Sequence, residues 1–239
     1  MMASALSPLL QHPALWRGDA LAPVAVPGLA SGYPALDAEL PGGGWPVGAL
    51  TELLLDREGI GELRLLMPAL AGLTRAGRWV AWVAPPHLPY APALAAAGVV
   101  LSRLLVVGRS HPREAWWAAE QALRAGVMGA VVCWPGEIDG RALRRLQLAA
   151  EAGGSAGFLF RPLQAAEAPS PAALRLALAP KGGGLVLRIL KRRGAAATLP
   201  LHLRFSAPLS RLGEGGEEGA GSAFTPTLPP GGGEGRQAA

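Results

Sequence analysis

Five apolar stretches alternate with amphipathic segments between residues 49 and 161, and this alternation limits the possible folds most strongly. The predicted strands are 49–55, 78–84, 103–108, 128–134 and 157–161, and the predicted helices are 62–77, 89–98, 112–126 and 139–154. The strands are apolar almost throughout, which is typical of strands that are covered on both faces. The sequence therefore predicts an α/β fold in which helices cover both faces of one mostly parallel sheet.

The two ends of the chain differ in composition from its centre. Residues 1–30 are interrupted by prolines, and we expect this lead to wrap around the domain surface. An antiparallel hairpin is predicted at 174–193, followed by a strand at 199–205. Gly, Pro and Glu dominate residues 208–239, and such a segment buries too little apolar surface to offset its ordering entropy. We therefore predict a folded domain over 31–207 and a disordered tail after it.

The turn between the first strand and the first helix has the layout of a phosphate-binding loop. This turn, DREGIGEL, contains Gly59 and Gly61 where such a loop wraps phosphates with its backbone N–H groups. Asp56, Glu62 and Leu63 occupy the positions of the first glycine, the lysine and the magnesium-binding hydroxyl. The layout is therefore present without the side chains that hold a nucleotide.

A carboxylate at the lysine position opposes nucleotide binding. At about 4 Å from a phosphate, the Glu62 charge would cost on the order of 4 kcal/mol at an effective dielectric near 20, or roughly a thousandfold in affinity. The fourth strand ends in Cys133 and Trp134 in place of a magnesium-binding aspartate, and the second strand ends in prolines followed by His87. We therefore interpret the turn as a structural connection, with a nucleotide site as the alternative. The chain is predicted to have no catalytic residues, no cofactor and no metal.

Two basic clusters are the candidate contacts to a partner or to DNA. The first lies on the polar face of the helix 139–154, and the second ends the hairpin. Their members are Arg141, Arg144, Arg145, Lys191, Arg192 and Arg193. Each cluster fits either a solvated surface or a contact with single-stranded DNA or an acidic partner. The net charge of +5 is too small to decide between these alternatives.

The rare residue types limit other chemistry. Cys133 is the single cysteine, which excludes an internal disulfide and a cysteine-rich metal site and suits a reducing cytosol. The four histidines show no metal-ligand spacing. Neither a signal peptide nor a stretch of about 18 apolar residues is recognisable, so we expect a cytoplasmic protein with no membrane contact. Trp116 and Trp117 are neighbours on one predicted helix, so one of them is expected to be exposed.

Several stretches resemble the RecA core. SGYPALDAELPGGGWPVGALTELLL (31–55) is similar to the entry into its first strand, and ILKRRGAAA (189–197) to the strand end whose lysines reach a neighbouring subunit's nucleotide. A closer resemblance is to the ImuA family, the RecA-like accessory proteins of bacterial translesion synthesis. It is carried by HPALWRGDALA, GIGELRLLMPAL and RWVAWVAPPHLPYAPAL. The SulA family of cell-division inhibitors is similar across the same central region.

The ImuA resemblance implies a RecA-like fold and a non-catalytic role in mutagenic DNA synthesis during the SOS response to DNA damage. The partners it implies are an ImuB-like homologue of the Y-family polymerases, an error-prone polymerase III α-subunit and, as a further candidate, RecA itself. Segments 135–138 and 162–171 are shorter than the DNA-binding loops of RecA, which argues against RecA-style filaments on DNA. Whether the chain contacts DNA in another way stays open. The alternative is a SulA-type inhibitor that binds FtsZ. Neighbouring genes would distinguish the two hypotheses.

Overall fold

The computed structural model of the chain describes residues 28–108, 111–192 and 199–205. Its strands are Ala49–Leu55 (β1), Trp79–Val83 (β2), Leu104–Val107 (β3), Met128–Cys133 (β4), Ala156–Pro162 (β5), Leu174–Lys181 (β6), Gly184–Lys191 (β7) and Leu201–Arg204 (β8). Its α-helices are Pro34–Asp37 (α1), Glu62–Arg75 (α2), Ala91–Ala96 (α3), Pro112–Arg124 (α4) and Gly140–Gly153 (α5). The proline-rich lead up to residue 27, Arg193 and the tail at 208–239 lie outside the described residues.

All eight strands form one sheet in the order β3-β2-β4-β5-β1-β6-β7-β8. The pairs from β3 across to β6 are parallel. β7 runs antiparallel to both of its neighbours, β6 and β8. The predicted α/β class, with a mostly parallel sheet and a C-terminal antiparallel hairpin, is confirmed.

Helices cover both faces of the sheet, and each face has its own apolar core. α2 and α3 pack on one face, where the buried side chains include Leu53, Leu66 and Trp82. α4 and α5 pack on the other face, with Leu123 and Leu143 among the buried side chains. All seven residues of β1 are buried, as expected for a central strand covered on both sides.

Local side-chain chemistry sets the ends of the helices. The Asp139 carboxylate accepts a hydrogen bond from the Ala142 N–H at 2.7 Å, which makes it the N-cap of α5. The C-cap of α5 is Gly154, whose φ of 61° is left-handed. α2 begins at Glu62 and contains Pro68 in its interior.

The chain before β1 is tied to the core through a tryptophan. The Leu29 N–H donates to the Trp45 carbonyl at 2.8 Å, and the Trp45 N–H donates to the Leu29 carbonyl at 2.7 Å. Trp45 is fully buried, and its ring meets Phe158 edge-to-face at 5.4 Å. Packed structure therefore includes residues immediately before the expected domain boundary at 31.

A buried ion cluster joins the centre of the sheet to the connection between β5 and β6. Glu52 of β1 is fully buried and accepts from Arg161 at 2.7 Å, from Arg175 at 2.5 Å and from the Ser170 hydroxyl at 2.9 Å. Other donors of the Arg175 guanidinium contact three backbone carbonyl groups in the same connection. An arrangement of the strands that separated these residues would leave buried charges unpaired. The cluster therefore favours the observed arrangement.

Replacing Glu52 by Gln should lower the free energy of unfolding by about 3–5 kcal/mol, since Arg161 and Arg175 would stay buried without their counter-charge. Urea denaturation followed by circular dichroism measures the change. Glu114 is exposed on α4 and provides the control; Glu114→Gln should change stability by less than about 0.5 kcal/mol. Equal urea concentrations at the midpoint of unfolding for the two variants would show that the cluster does not stabilise the fold.

Candidate functional site

The carboxyl ends of the parallel strands meet at one edge of the sheet, which is where open α/β folds bind their ligands. β1 leads there into the loop 56–61, β2 into the segment 84–90 and β4 into Trp134. These segments border two cavities of about 300 and 360 Å³. The predicted phosphate-loop position therefore lies at the edge where a site is expected.

The loop between β1 and α2 is closed by a carboxylate of its own chain. The Gly59 N–H donates to Oε1 of Glu62 at 3.0 Å, and Glu62 is only 7% exposed. Gly59 and Gly61 have φ values of 79° and 96°, a left-handed backbone that glycine adopts at little cost. A backbone N–H of the kind that binds phosphate oxygens therefore faces a carboxylate oxygen that the protein itself supplies.

The helix that follows the loop favours this negative charge. Glu62 is the first residue of α2, with Gly61 as the N-cap, and the partial positive charge of a helix N-terminus stabilises a carboxylate there. Its second oxygen, Oε2, is buried and has no hydrogen-bond partner in the part of the chain that the structure describes. Glu62 thus occupies the anion-binding end of α2 and leaves one acceptor unused.

The remaining positions of the site lack phosphate and magnesium chemistry. Asp56 is exposed, and Leu63 packs partly buried against the core. His87 is exposed, and its Nε2 lies 3.7 Å from the carboxylate of Glu58. At the end of β4, burial raises the pKa of the Cys133 thiol to about 12. No cluster of three or more His, Cys, Asp or Glu side chains that could hold a metal occurs among the described residues.

Aromatic rings form the inner wall at this edge of the sheet. The Trp134 ring stacks on Phe160 at 5.0 Å and meets Trp82 in a T-shaped contact at 5.8 Å. Trp134 lines both cavities. Leu88 and Tyr90, on the segment after β2, are 90% and 72% exposed. A packed aromatic wall beside an exposed apolar rim suits contact with another protein.

The first basic cluster is only partly a free surface. Arg141 and Arg144 are exposed on α5 as predicted. Arg145 contacts the carboxylate of Glu120 on α4, which also accepts from Arg124 at 3.0 Å. The Glu120 side chain is only 7% exposed, so Arg145 helps to hold α4 and α5 together. Contacts of Arg141 and Arg144 with a partner or with DNA stay a prediction.

The second basic cluster is engaged within the chain. The Lys191 ammonium donates to the Ser170 carbonyl at 2.7 Å, and burial lowers its pKa. The Arg192 guanidinium contacts the Glu39 carboxylate at 2.8 Å, and the Arg192 side chain is only 8% exposed. Arg192 therefore anchors the end of β7 to the segment after α1 and is not a solvated cation. Arg193 lies outside the described residues, and a partner contact at this cluster stays a prediction.

Sequence reasoning located the loop but missed how it is closed. The Gly59 N–H donates to Glu62, but the N-cap of α2 is Gly61, so the bond does not follow the capping-box pattern and no local sequence signal marks it. The expectation that one of the adjacent residues Trp116 and Trp117 is exposed to solvent is confirmed. Trp117 is 61% exposed, whereas the Trp116 indole N–H donates to the Pro135 carbonyl at 2.8 Å.

Comparison with known proteins relates the chain to one named family. A family model described as cell division inhibitor SulA matches residues 48–157. The SulA protein of Edwardsiella piscicida is 37% identical over 111 residues, which are 45% of this chain and 66% of that protein. The SulA protein of Pectobacterium atrosepticum is 31% identical over 121 residues, which are 50% of this chain and 72% of that protein. The chain thus spans about two thirds of the length of these relatives.

Two solved structures are also similar. The RadB recombinase superposes with a TM-score of 0.59 at 17% identity, over 74% of this chain and 96% of that chain. SulA from Pseudomonas aeruginosa gives a TM-score of 0.41 at 28% identity, over 47% of this chain and 97% of that chain.

Within the described residues, no helix has both the length and the apolar character needed to cross a bilayer.

The fold and the loop define a RecA-like α/β protein whose phosphate loop is closed by its own carboxylate. Within that class, the chain belongs to the SulA family. The expected RecA-like fold is confirmed, and so is the relationship to SulA. The closer assignment to ImuA stays a hypothesis.

Calorimetry with ATP and magnesium should give no binding in the low micromolar range, because Glu62 occupies the loop and Leu63 supplies no magnesium ligand. Glu62→Ala should not restore binding, since the lysine and the hydroxyl are still missing. Tight binding of ATP by the unmodified chain would contradict the closed-loop interpretation.

Proposed function

We propose that this chain is a non-catalytic cell-division inhibitor of the SulA type, which acts by binding FtsZ. The family match runs from the start of β1 into β5 and so includes the loop, Trp82 and Trp134 of the aromatic wall, and α2 to α5. The relatives in this family are named cell division inhibitors. The proposed activity is a protein–protein contact, without chemistry on a nucleotide.

The observation that carries this proposal is the bond between Glu62 and Gly59. A RecA-like scaffold that hydrolyses ATP needs its loop open to phosphate, with a lysine and a magnesium ligand in place. Here a buried carboxylate stands in the loop, and Leu63 is apolar at the position of the magnesium-binding hydroxyl. The edge keeps its shape without the nucleotide chemistry, which supports a role in docking.

The exposed rim beside the loop is the best candidate for the FtsZ-facing surface. Leu88 and Tyr90 are the most exposed large apolar side chains on the segment after β2. Exposed aromatic residues next to a packed pocket are typical of the centre of protein interfaces. The two basic clusters fit this role less well, because Arg145 and Arg192 are paired within the chain.

A second hypothesis is an accessory role in translesion synthesis with an ImuB-like polymerase homologue and an error-prone polymerase III α-subunit. One feature favours it. The strands β6, β7 and β8 lie beyond the region that matches the SulA family, and they extend the fold toward that of a recombinase. We place this hypothesis second because the resemblance that suggests it is not supported by the named relatives.

The purified chain should reduce the assembly of FtsZ from the same organism, measured by sedimentation with GTP. Replacing both Leu88 and Tyr90 by Ala should weaken the effect by roughly thirtyfold, or about 2 kcal/mol, as for the loss of an interface hot spot. Trp117→Ala is the matched control, since it also removes an exposed ring but on α4, and it should inhibit like the unmodified chain.

Unchanged FtsZ assembly in the presence of the unmodified chain would refute the proposed function. Binding of an ImuB-like homologue in a parallel titration would then support the translesion hypothesis. Equal loss of inhibition in the Trp117 variant would show that the rim at residues 88–90 is not the specific contact.

A further inference from the structure

A cavity of about 360 Å³ lies between the closed loop and the segment after β2. Its walls are mostly apolar and aromatic, with Trp82, Trp134, Pro89 and Tyr90 among the lining residues. The loop side contributes Glu62. The cavity therefore combines flat apolar surfaces with one buried acid.

Two polar atoms of the lining residues have no hydrogen-bond partner among the described residues. Oε2 of Glu62 is buried and accepts no hydrogen bond from the described residues, although Oε1 of the same carboxylate is bonded to Gly59. The indole Nε1 of Trp82 is likewise buried and donates to none of them. A buried carboxylate oxygen without a donor is costly, and the cost is removed when a cation or another donor enters.

The two basic side chains that line the cavity, Arg64 and His87, both have partners. The Arg64 guanidinium lies over the Phe205 ring, 4.6 Å from its centroid. The His87 ring lies 3.7 Å from Glu58, at the exposed rim. Two carboxylates, Glu62 and Glu58, and one guanidinium, that of Arg64, line the cavity, so its net formal charge, histidine not counted, is negative and favours a positively charged occupant.

We infer that this cavity binds the guanidinium group of an arginine that a partner protein presents. Arginine fits better than lysine because its flat cation stacks on aromatic rings while it donates to a carboxylate. Its aliphatic stem would pack against the prolines and Tyr90 at the entrance. This assignment deepens the proposed docking role and rests on it for the identity of the partner, but the chemistry can be tested without that partner.

The test is an NMR titration of the full chain with N-acetyl-arginine amide, in which the indole N–H signals of Trp82 and Trp134 are followed. Citrulline has the same shape without the charge, so N-acetyl-citrulline amide is the matched ligand. The arginine compound should bind in the millimolar range and the citrulline compound at least about tenfold more weakly. The lysine compound should fall between the two.

Glu62→Gln should remove the preference for arginine over citrulline, because it removes the charge and keeps the oxygen that accepts from Gly59. Glu114→Gln, at an exposed position on α4, should keep the preference. Circular dichroism of both variants checks that they are folded. Equal binding of the arginine and citrulline compounds, or unshifted indole signals with arginine, would overturn the inference.

The two proposals fail separately. Arginine binding together with unchanged FtsZ assembly would reject FtsZ as the partner and leave the arginine site in place. Inhibition of FtsZ assembly without any arginine preference would reject the site and leave the proposed function.

Discussion

The bond between the Glu62 carboxylate and the Gly59 N–H is the interaction on which the site depends. β1 and α2 place a glycine-bearing turn at the edge of the sheet where RecA-like folds bind nucleotides. The N–H groups and the helix dipole at such a turn need a negative charge, whether from a ligand or from the chain. Because the chain supplies that charge, the loop is stable in its closed form without a nucleotide.

The closed loop also explains the residues around it. Cys133 and Trp134 stand where a hydrolytic enzyme of this fold would need an acid, and both pack against the apolar cores. Trp134 contacts both Trp82 and Phe160, so side chains from the ends of three parallel strands form one continuous wall. An edge that no longer has to hold a nucleotide can present apolar side chains such as Tyr90 to another protein.

Much of the fold could be predicted because its signals are local. Continuous apolar strands, the N-cap at Asp139 and the absence of a lysine after Gly61 are all visible within a few residues. The partners of the arginines could not be predicted, since Arg192 meets a glutamate 153 positions away and Arg145 one 25 positions away. The position of β5 between β4 and β1 likewise results from long-range pairing, for which the sequence contains no local signal.

Amide hydrogen exchange at Gly59 is the most direct measurement of the closed loop. If Glu62 accepts from this N–H, the Gly59 amide should exchange at least about tenfold more slowly in the unmodified chain than in Glu62→Ala. The amide of Leu53, in the middle of β1, should stay protected in both proteins. Equal exchange at Gly59 in the two proteins would show that the carboxylate does not close the loop and would contradict the interpretation of this edge as a docking scaffold.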